Sequence, residues 1–318
     1  MADDTLLRFC LRQELFTSRL VICNSGALAT FLQSEEDWSI TCTTRSSNSP
    51  SQQQSGLLEC SFGKPLESGS VLEEAIRGST HILSTIPPVK GTATDPVLLS
   101  VERALCEWGS SESARWLGYL SSTSVYGDWG GAWVNEGSEL RASDPKSRGH
   151  DRWLTEQAWA GLHHEHGLPV HIFRLGGIYG PGRSALDSAM RAGSSTSKAR
   201  RGAQLYTNRC HVYDICQVLL ASMQRPRPGA VYNVVDDNPA SRAQVMAYVQ
   251  ELLGGQAPAI QDSGDQDTTM RRLKTEEKRV ENRLIKEELE VTLEFPTYRE
   301  GLHAIRIGDT RPFSGQHE

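Results

Sequence analysis

Residues 19–35 read RLVICNSGALATFLQSE. An apolar run, Leu20 to Cys23, gives way to Asn24-Ser25-Gly26, and Ala27 then opens a pattern of helical period. A strand, a short Gly-containing turn and a helix form the first half of a βαβ unit, and such a turn is where a phosphate cradle forms. The pattern expected there is G-x-G-x-x-G/A. Asn24 stands at the first position, and Asn tolerates the left-handed backbone a tight turn needs. Ser25 follows it. Gly26 is second, where backbone must approach a pyrophosphate, and Ala29 is third, where the helix must pack closely. An ordinary strand-to-helix turn would read the same way, so the stretch bears on the fold before it bears on a ligand.

Working outward, the alternation continues. WSITCTTRS (38–46), THILSTIPP (80–88), RWLGYLSS (115–122) and PVHIFRLGG (169–177) are strand-like, and 10–15-residue amphipathic stretches lie between several of them. Pro96 opens DPVLLSVERALCEWG at a first-turn position, and Gly167 closes DRWLTEQAWAGLHHEHG. This order predicts an α/β fold, a doubly wound parallel (Rossmann) sheet with a small C-terminal α/β substrate lobe. Residues 1–19 read as an N-terminal extension carrying a short helix. Residues 20–180 read as the dinucleotide-binding domain, completed by a strand near 231–235, and 181–318 as the smaller lobe. Within that lobe RRLKTEEKRVENRLIKEELE (271–290) has the i,i+4 charge spacing of a solvated helix.

The second strand ends in Thr43-Thr44-Arg45-Ser46. NAD-binding chains usually carry an acid there for the ribose 2′-hydroxyl, whereas an Arg suits the 2′-phosphate of NADP because its planar fork donates bidentately. Arg45 and Ser46 therefore point to NADP, with NAD as the alternative. The competing reading of Arg45 is a solvated strand end.

Composition excludes other classes. A net charge of −6 with 23% charged residues supplies no basic field for nucleic acid. No apolar run approaches the ~20 residues that span a bilayer. The 7 cysteines are scattered without C-x-x-C spacing, which argues for reduced thiols, no zinc site and a cytoplasmic location, an organelle being left open. HHEHG (163–167) looks like a helix end rather than a metal site.

Four motifs, YLSSTSVYGDWGGAWVNE, FRLGGIYGPGR, HVYDICQVLLASM and VYNVVDDNPASRAQVMAYVQELLG, together resemble the extended short-chain dehydrogenase/reductase family of NAD-dependent epimerase/dehydratase type. The closing EEKRVENRLIKEELEVTLEFPTYREGL is similar to its atypical YeeZ-like subgroup. The resemblance spans roughly residues 20 to 307. It implies a bound NAD(P) and a substrate oxygen polarised by Ser122. It also implies that Thr85, Ile86 and Pro87 line the nicotinamide side.

The family places a Tyr-x-x-x-Lys pair on the next helix. Here those positions are Arg148 and Arg152, and a guanidinium is not deprotonated at neutral pH. Arg152 can still hold ribose hydroxyls, but the usual proton donor is missing. Tyr126 and Tyr179 are then the phenols in motif positions, and Tyr126 is the candidate acid/base. Paired Arg148 and Arg152 on one helix face favour an anionic small-molecule substrate. The competing reading pairs Arg152 with Glu156 on a solvated face.

The expected function is an atypical NADP(H)-binding oxidoreductase or epimerase-like protein, with a homodimer admitted as its assembly. The alternative is a non-catalytic NADP(H)-binding redox sensor or scaffold. Asp214 in HVYD reads as a helix cap, and Trp129 and Trp133 as packing residues, with a lid or substrate-stacking role as the competing reading.

Overall fold

The structure is a computed structural model that describes residues 18–23, 27–33, 38–44, 57–92, 94–190, 204–255 and 276–313. The expected N-terminal helix, the turn Asn24-Ser25-Gly26, and Arg45 and Ser46 lie outside the described residues.

Seven strands form one parallel sheet: β1 (Ser18–Cys23), β2 (Trp38–Thr44), β3 (Leu57–Glu59), β4 (His81–Ser84), β5 (Trp116–Ser122), β7 (Val170–Leu175) and β10 (Val231–Val234). Their spatial order is β10-β7-β5-β4-β1-β2-β3. The sequence order reverses between β1 and β4, so the switch point of a doubly wound sheet lies where the opening stretch predicts it. The strand expected near 231–235 is β10. Helix α1 (Ala27–Gln33) follows β1 directly.

The central strands are buried along their length, as expected of a sheet covered on both faces. All six residues of β7 and all four of β4 are buried.

The chain divides into two compact units. The first holds residues 1–121, 154–173 and 222–231. Its core joins Val21, Ile82, Leu117 and Ile172 of the strands to Leu72 and Ile76 of α2 (Val71–Arg77) and Val101, Leu105 and Trp108 of α3 (Pro96–Gly109). Asp95 caps α3 by accepting the Val97 and Leu98 N–H groups at 2.8 and 3.0 Å, satisfying two of the helix's orphan donors. Its other oxygen accepts the Trp159 indole N–H at 2.8 Å. Trp159, on α4 (His150–His166), is fully buried and stacks on Tyr119 with centroids 5.1 Å apart.

The second unit holds 122–153, 174–221 and 232–318. It contains two small parallel sheets, β6 (Trp133–Val134) with β11 (Arg279–Val280), and β8 (Gly177–Tyr179) with β9 (Arg209–His211). Its helices are α5 (Ala185–Met190), α6 (Val212–Gln224), α7 (Arg242–Leu252), α8 (Arg283–Glu287) and α9 (Tyr298–Arg306). Ser241 caps α7 in a reciprocal capping box with Gln244.

The charged helix expected over 271–290 is corrected. Its described part, from Glu276, is strand β11 and then the five-residue α8. Val280, Ile285 and Leu289 are buried, and a sheet partner for β11 outweighs the i,i+4 charge pairs, each worth only a few tenths of a kcal/mol.

Candidate active site

β5 ends on three hydroxyls, and the structure gives each a different task. Ser121 is buried and donates to Glu156 Oε2 at 2.5 Å. Thr123 is buried in a 3₁₀ turn, Thr123–Tyr126. Ser122 caps that turn, its Oγ accepting the Ser124 N–H at 3.2 Å. A hydroxyl has one proton and two lone pairs, so the cap leaves Ser122 its proton to donate.

Two glycines shape the surroundings. Gly127 closes the turn at φ 67°, a left-handed conformation that glycine adopts without strain. A Cβ on Gly149 would stand 2.1 Å from the Ser124 carbonyl oxygen, so only glycine lets the chain leading into α4 pass the turn this closely.

Ser122 opens onto a cavity of about 280 Å³ in the second unit. Arg148, Tyr206, Asn208, Glu276 and Lys278 share its lining. Arg148 is exposed, and its backbone N–H donates to Glu276 Oε1 at 3.1 Å. It precedes α4 rather than riding on it, which corrects the expectation that Arg148 and Arg152 share a helix face. Arg152 is half-buried in the first turn of α4 and does not line the cavity.

Lys278 escaped the sequence reading. It is 7% exposed, and its Nζ donates to the Gly127 carbonyl at 2.8 Å. Burial lowers its pKa from the ordinary lysine value, the nearby Glu276 opposing that shift. The only signal for it was an apolar Val280 two residues on, within a run otherwise dense in charge.

Tyr126 occupies a different setting from the one expected. It is fully buried, donates to Asn233 Oδ1 at 2.8 Å, and accepts from Arg174 Nη1 at 2.8 Å. Burial pushes its pKa up to about 12, with the Arg174 charge pulling the other way. Its hydroxyl is committed to a buried network that also includes Glu136, whose Oε1 accepts the Asn233 N–H at 2.8 Å. Such a phenol does not exchange protons near neutrality. Tyr179 is also buried, its hydroxyl donating to the Thr297 carbonyl at 3.3 Å, and burial raises its pKa strongly. Asp214 does not cap α6, which begins at Val212. It accepts the Glu294 and Phe295 N–H groups at 2.8 and 3.2 Å instead. Trp133 is not a packing residue: it is 47% exposed, with the Arg279 guanidinium 5.1 Å from its ring.

The first unit carries the residues expected to meet a dinucleotide. Ala29, at the third cradle position, is 4% exposed, so nothing much larger fits there. Ser84, the last residue of β4, pairs in register with Cys23 at the end of β1. Its hydroxyl is buried and has no partner among the described residues. Beyond it Thr85 and Ile86 are half-buried and Pro87 is exposed. A switch point between β1 and β4, a small residue in the following helix and an orphaned hydroxyl at the strand end fit a bound nucleotide. Among the described residues no cluster of His, Cys, Asp and Glu is arranged to hold a metal, and no helix is long and apolar enough to cross a membrane.

Comparison with known proteins agrees with this architecture. No protein-family model matches the chain. A solved structure of a functionally unknown conserved protein from Silicibacter pomeroyi is 37% identical, with a TM-score of 0.72 over 92% of this chain and 100% of that one. The NAD complex of dTDP-glucose 4,6-dehydratase from Bacillus anthracis is 18% identical, with a TM-score of 0.68 over 92% of this chain and 96% of its own, and so shares the fold. Protein YeeZ of Escherichia coli is 27% identical over 194 residues, covering 60% of this chain and 66% of YeeZ, just under two thirds of its length.

Proposed function

We propose that this chain, which belongs to the same family as the functionally unknown Silicibacter pomeroyi protein, is a nicotinamide-dinucleotide-dependent oxidoreductase or epimerase-like enzyme with an atypical active site. The observation that carries the reading is Ser122. It ends an interior strand of a doubly wound sheet, keeps a proton to donate, and opens on a cavity whose lining includes Arg148, Glu276 and Lys278. At the end of a central strand, a side chain of this kind is placed for chemistry rather than packing.

The dinucleotide is assigned to the first unit. Asn24, Ser25, Gly26 and Ala29 cradle its pyrophosphate. Arg45 and Ser46 take the 2′-phosphate, making NADP(H) the preferred form. Thr85, Ile86 and Pro87 line the nicotinamide side. Arg152 stands at the position that the resemblance gives to the ribose hydroxyls. When bound, the dinucleotide supplies or accepts hydride. The protein's own part is done by Ser122, whose O–H donates to the substrate oxygen and stabilises the negative charge that builds there. Replacing the Tyr-x-x-x-Lys pair by Arg148 and Arg152 removes the proton donor that the resemblance implies, and Tyr126 is too deeply committed to replace it.

Titration calorimetry with NADP, NADPH and NAD tests the assignment. NADP(H) is expected to bind more tightly than NAD. Tighter NAD binding removes the roles of Arg45 and Ser46, and binding of none of the three overturns the function. Ser122→Ala is expected to abolish NADPH consumption with a carbonyl substrate while leaving dinucleotide affinity unchanged.

A further inference from the structure

Lys278 is not used by the reading above, yet its setting is costly. A buried ammonium is tolerated only when its donors are met. One N–H goes to the Gly127 carbonyl, which leaves two. The charged groups around it are Arg148, Glu276, Asp128 and Glu277. Each carboxylate is engaged elsewhere. Glu276 accepts from the Ser147 hydroxyl and the Arg148 N–H, Asp128 from the Gly130 and Glu277 N–H groups, and Glu277 from the Leu205 and Tyr206 N–H groups. Among the described residues none of them pairs with the Lys278 ammonium. The main chain on either side is fixed, because the Lys278 carbonyl accepts from Asn208 Nδ2 at 3.1 Å and the Val280 N–H donates to Asn208 Oδ1 at 2.9 Å. A desolvated amine held in place, with donors to spare, lines the same cavity as a hydroxyl and a guanidinium.

We propose that this cavity takes a small anionic carbonyl compound, an aldehyde or keto acid, with Arg148 on the acid group and Ser122 and Lys278 on the carbonyl oxygen. Arg is suited to a carboxylate because its fork meets both oxygens. A volume of about 280 Å³ lies at the low end for small-molecule sites, which favours a ligand of few atoms. The catalytic part of the inference rests on the dinucleotide reading above. Were hydride delivered to the carbonyl carbon, the C=O π bond would break and the oxygen would take a proton from the Lys278 ammonium. The resulting neutral amine regains a proton from solvent. In the reverse direction the amine accepts the proton of the alcohol. Lys278 thus does from the C-terminal segment what the absent Tyr would do from α4.

The binding part can be tested without a dinucleotide or a known substrate. Glyoxylate, a small anionic aldehyde, is incubated at pH 7 with the full chain and cyanoborohydride, and carboxymethylated lysines are mapped by mass spectrometry. An amine condenses with the aldehyde, loses water to give an imine, and is fixed by reduction. Lys278 is expected to be modified at least about tenfold faster than the exposed Lys64, Lys90, Lys146 and Lys286, because fewer of its molecules carry the extra proton and the site concentrates the anion. With Arg148→Gln that rate is expected to fall about tenfold for glyoxylate and to stay unchanged for acetaldehyde, which has no charge. Lys278 reacting no faster than the exposed lysines overturns the site. Equal loss for both aldehydes in Arg148→Gln overturns the role of Arg148. Either result leaves the calorimetric test of the dinucleotide standing, so the two readings fail separately.

Discussion

The two units treat buried polar groups differently. In the first, they are spent on construction. Asp95 caps a helix and holds the Trp159 indole, the Ser222 hydroxyl accepts from Trp116 Nε1 at 3.0 Å, and Glu156 accepts the Ser121 hydrogen bond. One side-chain atom there, Ser84 Oγ, is buried without a partner among the described residues. In the second unit four atoms are in that position: His211 Nε2, Gln217 Oε1, Asn233 Nδ2 and Asp236 Oδ2. Lys278 is buried there with no carboxylate bonded to its ammonium among the described residues, and Asp236 is pushed well above the ordinary carboxylate range by burial. Unmet buried groups cost stability, and native proteins keep few of them. The first unit is a finished scaffold, and the second holds polar capacity in reserve where substrate chemistry is assigned.

The contrast can be broken most sharply in the first unit. Trp159→Ala removes a fully buried ring and frees Asp95 Oδ2 from its indole partner, and is expected to cost about 3–5 kcal/mol in denaturant unfolding. A loss below about 1 kcal/mol would mean the scaffold is not built as described. In the second unit Arg174→Met strips Tyr126 of one hydrogen-bond partner and is expected to cost about 2–3 kcal/mol, because buried polar atoms are left unmet.

Acid acts with opposite sign on two buried groups, one in each unit. Burial lowers the pKa of His171 in the first unit to about 4. Its Nε2 accepts the Arg227 N–H at 2.8 Å, a bond that a proton on Nε2 would destroy. The unfolded chain therefore binds more protons than the folded one between pH 6.5 and 4, and His171 costs stability as pH falls through that window. Burial raises Asp214 in the second unit to about 6, so there the folded state binds more protons between pH 6 and 4 and stability is gained as pH falls. His171→Gln is expected to flatten the acid loss measured by urea midpoints, by at most about 1.4 kcal/mol per pH unit. Asp214→Asn is expected to steepen it. The smallest effect expected is that of Arg283→Ala, which removes an exposed 3.7 Å pair with Glu287 and should shift stability by less than about 0.5 kcal/mol.

How far each part could be read from sequence follows from the same contrast. β4, β5 and β7 announced themselves because each is a short, mostly apolar run bounded by Pro, Gly or hydroxyl residues. Ser122 was legible through the resemblance that its motif, SSTSVYG, carries. Arg148 was placed in the site, yet its position before α4 was hidden, since α4 starts without a strong cap signal. Lys278 was hidden twice over. A two-residue strand has no period to detect, and its neighbours Glu276, Glu277 and Arg279 imitate a solvated helix. Tyr126 was misjudged because only the fold reveals that Asn233 and Arg174, both distant in sequence, close over its hydroxyl.

The segment order of the first unit also bears on how the chain comes into being. That unit draws on residues up to Ser121, then on 154–173, and is completed only by 222–231. At about 5–20 residues per second, a ribosome needs on the order of ten seconds to deliver the missing pieces after β5 has emerged. For about the first half of that interval β5 has been made while its partner β7, joined through the Leu117 N–H to Pro169 carbonyl bond at 2.9 Å, has not. A nascent chain with an unpaired apolar strand is open to capture by other strands. Slower codons between β5 and β7 should therefore lower its yield more than slower codons after β10.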